Sequence, residues 1–560
     1  MKKTSIILFA LLGVCIGATA QSMYDGYNFS GNNYFGSAKS VGLSNAVTAI
    51  GGDLGTIGIN PAGSAVAGYS QFVVSPGLSL SMGRTSYALT PTADYHLGQN
   101  AFNPRFKLPN VGISVRYDTD SGSALKAFVF AMTVNTTDDF NYKMVSRGLN
   151  PVSSRFAEMA AAATDLNISP SDLSSNSFYD NSAYSNYWDT ALGYDIGLIN
   201  SYGTDNRYVG CSEVLTDKGE HYVPSPLGQT STVIHMGYKT DIILNFGFNF
   251  SDRLFLGFNL GIPNLEYSNV EDFTEVAQTV EDFPVSFTYK DGTTEDTYFS
   301  DATYRYNYLA KATGVYAKFG LIWLPTNSLR FGLAYQTRTT LTVEESWQHS
   351  GMVRYDNGKS FSGSGEDGWF RYTLYTPWVL DAGFAWTFGR RGLVSVDYEL
   401  ANYGRMQFDS DEGLETNYAF EDEAIRSFSG LSHAFRLGAE INLMHSLALR
   451  AGGSFRTSPE KYYIDLDGTE LSYSDYDNDF FLGRKHLPLT SAHYADFVYG
   501  GSLGLGYNPA GSFFADFAVQ GTVYPATVYQ PYYDYADLFS PRIRSRRALL
   551  GAVLTLGWRF

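Results

Sequence analysis

Apolar and polar positions exchange with period two over many segments of the chain. In 393–400, Val394, Val396, Tyr398 and Leu400 fall on one side, with Ser395, Asp397 and Glu399 on the other. Phe435, Leu437, Ala439, Ile441 and Leu443 oppose Arg436, Gly438, Glu440 and Asn442. Leu329, Phe331, Leu333 and Tyr335 oppose Arg330, Gly332, Ala334 and Gln336. This period marks strands with one apolar face. A soluble sandwich would turn that face inward, whereas a membrane barrel turns it to lipid and keeps charge in the lumen. Many segments run for about ten residues or more, longer than the usual ~5–6 of soluble sheets and suited to a tilted membrane crossing.

The connections favour the barrel. Short turns carrying Gly, Asn, Asp or Pro are expected near 119–122, 251–252, 325–328, 389–392 and 508–511, with a weaker one at 444–445. Between them lie long polar stretches, at 91–107, 139–229, 269–309, 347–366, 404–429, 457–491 and 524–544. Short turns at one end and long loops at the other predict a transmembrane antiparallel β-barrel of about fourteen strands, all-β in class, with both termini on the short-turn side. In the last segment Leu550, Ala552, Leu554, Leu556, Trp558 and Phe560 share a face. Trp558 and Phe560 suit an aromatic girdle, and a terminal Phe resembles the signal read by barrel assembly machinery.

The two ends of the remaining sequence read differently. Residues 1–20 form a signal peptide: Lys2 and Lys3, an apolar run from Ile6 to Ile16, then Ala18-Thr19-Ala20. Residues 21–68 do not alternate. They are rich in Gly, carry apolar Val41, Leu43, Val47, Leu54, Ile57 and Ile59, and include Ser44–Ile50 as a possible short helix. This segment is expected to fill the lumen as a compact hatch, with residues 69–560 forming the barrel.

Composition narrows the function. The chain has 560 residues, a formal charge of −17 and an aromatic content of 16%. Such acidity repels phosphate backbones, so no nucleic-acid partner is expected. The mean hydropathy of −0.16 is too low for a helical bundle. Of the two cysteines, Cys15 lies in the leader and only Cys211 in the mature chain, which excludes an intramolecular disulfide there.

The run from Val41 to Pro76, with Gly51-Gly52-Asp53, Asn60-Pro61-Ala62-Gly63 and Phe72-Val73-Val74-Ser75-Pro76, resembles the FadL family of outer-membrane long-chain fatty-acid transporters, in its Bacteroidetes-type branch. Asn60, Pro61 and Ala62 match the family's hatch triplet. Similarity extends to 320–335, Tyr375-Thr376-Pro377-Trp378, 395–399 and 436–450. The resemblance implies a monomeric outer-membrane barrel of a Gram-negative bacterium, plugged by its hatch. It would pass hydrophobic molecules inward without an energy source, with ligand leaving sideways at a kinked third strand. It leaves the cargo open among fatty acid, bile acid, haem and aromatic compounds.

Other chemistry is weighed against this. Gly500-Gly501-Ser502-Leu503-Gly504 matches the G-x-S-x-G elbow formally, but Ser502 falls in an alternating strand rather than a strand-to-helix turn. A lipid hydrolase and a non-transporting adhesin or receptor are therefore the rival functions, and no enzyme activity is expected. Asp475, Asp477 and Asp479 begin like a calcium loop, yet Phe480 replaces the required Gly. No metal site and no cofactor are expected. The lumen-facing charges Arg330, Asp397, Glu399, Arg436, Glu440 and Arg450 read better as a structural network than as a conduit. In the partly helical stretch 139–229, Val152, Phe156, Met159, Ala160 and Ala163 form one apolar stripe. Tyr184, Tyr187, Trp188, Ala191, Tyr194 and Leu198 form another. Phe156, Met159, Tyr187 and Trp188 are either a landing surface for cargo or the glue of the loop.

Overall fold

The computed structural model describes residues 23–560 except 90–95, 120–121, 182–183, 185–186, 217, 289–292, 412–416, 465–469, 472–491, 494–496 and 533–539. The leader and the calcium-like stretch lie outside the described residues. Period-two segments become the fourteen strands of one closed antiparallel barrel. They are β1 (Gln71–Ala88), β2 (His96–Asp118), β3 (Leu125–Asp139, continued by Tyr142–Asn150), β4 (Leu227–Phe250), β5 (Leu254–Ala277), β6 (Thr294–Trp323) and β7 (Leu329–Gln336, continued by Thr340–Tyr355). The circuit goes on through β8 (Ser360–Tyr375, continued by Val379–Thr387), β9 (Gly392–Asn402), β10 (Leu431–Met444), β11 (Leu447–Thr457), β12 (Phe497–Tyr507), β13 (Phe513–Tyr529) and β14 (Arg542–Arg559). Closure comes from β1 pairing with β14, from Gln71 opposite Arg559 to Ala88 opposite Arg542. At this seam no strand edge is left to be satisfied by lipid.

Alternation sets which side meets lipid. Along β14 the outward row runs Trp558, Leu556, Leu554, Ala552, Leu550, Ala548, while Thr555, Val553 and Leu549 are buried inward. Ten residues at ~3.3 Å each, tilted by ~40°, span about 25 Å, the height of a barrel's apolar belt. Trp558 packs on Phe72 at 6.2 Å and Phe513 at 5.5 Å between ring centroids, closing the girdle at the seam.

The strands rise further than the polar stretches suggested. β2 begins at His96, β5 reaches Ala277 and β6 starts at Thr294, so 91–107 and 269–309 are mostly strand. The loop expected at 347–366 shrinks to 356–359, and β13 and β14 take up both ends of 524–544. Above the belt the outer face meets water, so polarity inverts without losing the period: Tyr304 and Tyr308 point in, while outward Arg305 pairs with Asp272 at 2.5 Å.

Inside the wall lie α1 (Met23–Ser30), α2 (Ala38–Gly42) and α3 (Gly63–Val66). The helix expected at 44–50 sits earlier, at α2, capped by Ser37, whose side chain accepts from the Ser40 amide. It stops because Ser44 and Asn45 take positive φ (50° and 61°). Above the barrel the long connection from β3 to β4 holds α4 (Arg155–Asp165), α5 (Pro170–Leu173) and α6 (Trp188–Asp195), and that from β9 to β10 holds α7 (Ala419–Phe428).

Candidate functional site: hatch, lumen wall and an interrupted ladder

Asn60 explains the hatch triplet. Its amide donates to the Thr48 carbonyl at 2.7 Å and to the wall's Leu321 carbonyl at 3.1 Å, and its Oδ1 accepts from the Ala62 amide at 3.0 Å. One side chain thus joins two turns of the hatch to β6. Pro61 fixes the backbone between Asn60 and Ala62, and the Pro61 carbonyl accepts from Asn245 on β4 at 2.9 Å. Ala62 is fully buried. Gly63 lies so close to Gly51 that a Cβ on Gly51, whose φ is +65°, would stand 2.9 Å from the Gly63 Cα.

The wall is shaped to receive this backbone. Gly247 on β4, Gly257 on β5 and Gly320 on β6 are register partners. So are Gly332 on β7 and Gly383 on β8, and Gly438 on β10 and Gly452 on β11. A Cβ on Gly257 would overlap Pro61, on Gly320 Asn60, on Gly332 Thr48, and on Gly452 Leu43. These inward glycines form a track on which the hatch rests. The alternation in the sequence places several of them on the lumen face, but nothing local says what they approach.

The six lumen charges fall into two clusters and two single anchors. Arg436 pairs with Glu399 at 2.5 Å and lies 3.9 Å from Asp381, which in turn holds Lys318 at 3.1 Å. Lys318 also donates to the Gly58 carbonyl at 3.0 Å, reaching the hatch. In the second cluster Arg450 bonds Glu440 at 2.6 Å and also Asp516. Asp397 accepts from the Thr48 amide at 2.7 Å, and Arg330 donates to the Ile50 carbonyl at 3.1 Å. Lys318, Asp381 and Asp516 were not singled out in the sequence, although strand alternation puts Asp381 opposite outward Phe384 and Trp386. Ser502 lies within β12 and meets the Ser44 hydroxyl at 2.8 Å, so it joins hatch to wall and is not raised on an elbow.

The loop residues offered either as landing surface or as glue pack against the barrel. Phe156 and Met159 are buried, packed with Ala302 and Tyr304 of β6 and Val353 and Tyr355 of β7. Tyr187 and Trp188 are partly buried against the same cluster. The second stripe is interrupted: α6 covers only Trp188–Asp195, leaving Tyr184 and Leu198 outside it. A helix this short gains its stability by burying its apolar face on the barrel, so the side chains that looked ready for cargo are used as core. On α4, burial with the Asp189 carboxylate nearby pushes the Glu158 carboxyl up to about 8. Phe156→Ala is expected to remove ~3–5 kcal/mol from this docking. The loop should then be cut much faster by protease while the barrel keeps its heat-modifiable migration. Unchanged cutting would return Phe156 to a surface role.

One stretch of wall is not sealed. β2 and β3 are paired only from Asn110 opposite Asn135 down to Asp118 opposite Ala127. Above this, β2 pairs with β1 alone, and β3 turns inward: Tyr142–Asn150 pairs with β4 and crosses the inner face of β1. There a Cβ on Gly83 would overlap the Lys143 carbonyl, and Thr85 donates to the Val145 carbonyl. Side chains bridge the opening. The Asn103 amide donates to Asn141 Oδ1 at 2.6 Å, Lys107 pairs with Asp139 at 3.2 Å, and Lys107 stands 3.5 Å over the ring of Phe35 in the hatch. Outward Phe102 and Phe106, both well exposed, set the opening at the height of the apolar belt.

Deeper in, α1 inserts Met23 and Phe29 among inward Leu265, Tyr267, Leu341 and Tyr372. No protein-family model matches the sequence. No curated protein matches it either. Among solved structures the chain is similar to a Pseudomonas aeruginosa FadL homologue, with 11% identity, a TM-score of 0.46, and coverage of 94% of this chain and 98% of that one. It is also similar to the P. putida toluene transporter TodX (12%, TM-score 0.44, 93% and 97% covered) and the Ralstonia pickettii toluene transporter TbuX (13%, TM-score 0.39, 95% and 100% covered). The chain itself is a fourteen-stranded β-barrel with an N-terminal hatch in its lumen.

Proposed function

We propose that the protein is an outer-membrane channel for passive uptake of hydrophobic molecules, long-chain fatty acids first among them. The observation that carries this reading is the interrupted ladder between β2 and β3, an opening in an otherwise closed wall at the height of the apolar belt. A polar solute gains nothing by leaving into lipid, whereas an apolar one does, at ~25 cal/mol per Å² of surface. The chamber holding Met23 and Phe29 supports the same reading, since an acyl chain matches the apolar volume those side chains occupy. The channel acts as a monomer whose belt contacts only membrane lipid, and Trp558 and Phe560 serve as the end recognised by the barrel assembly machinery.

A crosslink tests the route. Asn103→Cys with Asn141→Cys places two thiols across the opening, and native Cys211 is buried elsewhere. Oxidised cells carrying the pair should take up radiolabelled oleate no faster than cells lacking the protein, with recovery on reduction. Undiminished uptake in the verified crosslinked form would place the exit elsewhere. No oleate or toluene uptake by the intact, assembled protein would favour the adhesin or receptor reading.

A further inference from the structure

The outward row of β14 changes character at the upper border of the apolar belt. After Ala548 come Arg546, Arg544 and Arg542. Register places Arg84 of β1 directly opposite Arg546, Ser86 opposite Arg544 and Ala88 opposite Arg542. Below them the paired rows are wholly apolar: Met82 faces Ala548, Leu80 faces Leu550 and Leu78 faces Ala552. The first charged step above the lipid therefore presents two guanidinium groups side by side.

Like charges directly opposed on neighbouring strands are destabilising, and elsewhere on the outer wall the chain avoids them. Lys311 of β6 lies between Glu266 of β5 and Glu344 of β7 in register. Arg305 pairs with Asp272 and Arg354 with Asp301. Arg84 and Arg546, by contrast, form no ion pair with a carboxylate among the described residues. In a chain with 39 basic and 56 acidic residues, such a local excess is not a reflection of composition.

The arginines also enclose space. Arg84, Ser86, Gly98, Arg544 and Arg546 line a cavity of about 300 Å³. Gly98 on β2 keeps it open, since a Cβ there would stand 3.2 Å from Arg84 Nε. Apolar Phe102 below on β2, and Val523 and Val528 on β13, flank it with exposed side chains that suit acyl chains.

We propose that this patch is a binding site for the phosphorylated headgroup of a membrane lipid in the leaflet nearest the long loops. Planar guanidinium forks match phosphate oxygens in pairs, and the height of the patch puts it where headgroups begin. The phosphate offsets the repulsion between Arg84 and Arg546, while the lipid's chains lie down the apolar rows beneath. The inference rests on the barrel crossing a membrane and is independent of what, if anything, it transports.

Native mass spectrometry of the full mature chain in detergent tests it, with phosphatidylglycerol, diphosphoryl lipid A, phosphatidylcholine and inorganic phosphate as probes. The wild type should retain phosphatidylglycerol and lipid A at least several-fold more than phosphatidylcholine, and the Arg84→Gln/Arg546→Gln variant should lose that preference. Arg390→Gln/Arg391→Gln, on the short-turn side, should keep it. Equal retention by the Arg84/Arg546 variant, or no preference in the wild type, overturns the proposal. So does full competition by inorganic phosphate at millimolar concentration, which would mean a simple anion site. A measurement on unaltered protein stands beside it: phosphatidylglycerol should raise the temperature of heat-modifiable unfolding above that in phosphatidylcholine, and no difference would count against the site. Loss of oleate uptake with lipid binding intact would bear on transport alone.

Discussion

A chain lacking residues 21–68 is expected to insert as a barrel and to conduct ions in planar bilayers roughly tenfold or more above the intact protein, because the lumen of a barrel this wide is not filled by its own wall side chains. The hatch rests on wall glycines at Gly257, Gly320, Gly332 and Gly452, which supply no side chain to take its place. Closure of the wall does not depend on it, since every barrel strand pairs with its neighbours and β1 with β14. The salt bridges Arg436–Glu399 and Arg450–Glu440 also lie wholly within the wall, so removing the hatch hydrates them without unpairing them. The shortened chain should therefore retain different migration before and after boiling. Conductance no greater than that of the intact chain, in a variant with that migration, would move the barrier to the mouth, where α4 and α6 pack on β6, β7 and β8.

The second large effect is expected at Asp381→Ala. Lys318 has no solvent exposure, and Asp381 is its carboxylate at 3.1 Å. At this burial the loss of Asp381 leaves the ammonium group with the Gly58 carbonyl but without its paired carboxylate, which costs about 3–5 kcal/mol. Arg436 is buffered by Glu399 at 2.5 Å and is expected to suffer less. The variant should lose heat-modifiable migration at a clearly lower temperature than the wild type. Lys318→Met/Asp381→Leu should recover most of the loss, because exchanging a whole buried pair for apolar groups is close to neutral. Wild-type stability in Asp381→Ala would mean that the carboxylate does not support the fold, and would reopen the reading of these charges as a conduit.

A third variant, Asp397→Asn, separates backbone contact from charge in holding the hatch. A hatch held chiefly by backbone contacts should tolerate Asp397→Asn, whose side-chain oxygen can still accept from the Thr48 amide. A hatch held by charge should not.

Period-two alternation is enough to specify the barrel. Val396 out and Asp397 in, Leu437 out and Arg436 in, Trp558 out and Thr555 in all follow from period two, because a strand's side chains have only two directions and lipid accepts only one class of them. It also put Arg330, Asp397, Glu399, Arg436, Glu440 and Arg450 on the polar phase of their strands. Tertiary structure alone decided the rest. The pairing of Lys318 with Asp381 joins β6 to β8, and register across an intervening strand is not written in either segment. The apolar stripe of α4 was legible, but whether Phe156 and Met159 wait for cargo or form core depended on the inner faces of β6 and β7 rising above the membrane to meet them. The polar stretches hid that rise, since outward charges beyond the belt look like loop. The opening beside β3 is the clearest case: 139–150 was read as the start of a long loop, and only the closed circuit shows that it is strand turned inward, leaving the upper part of β2 paired with β1 alone.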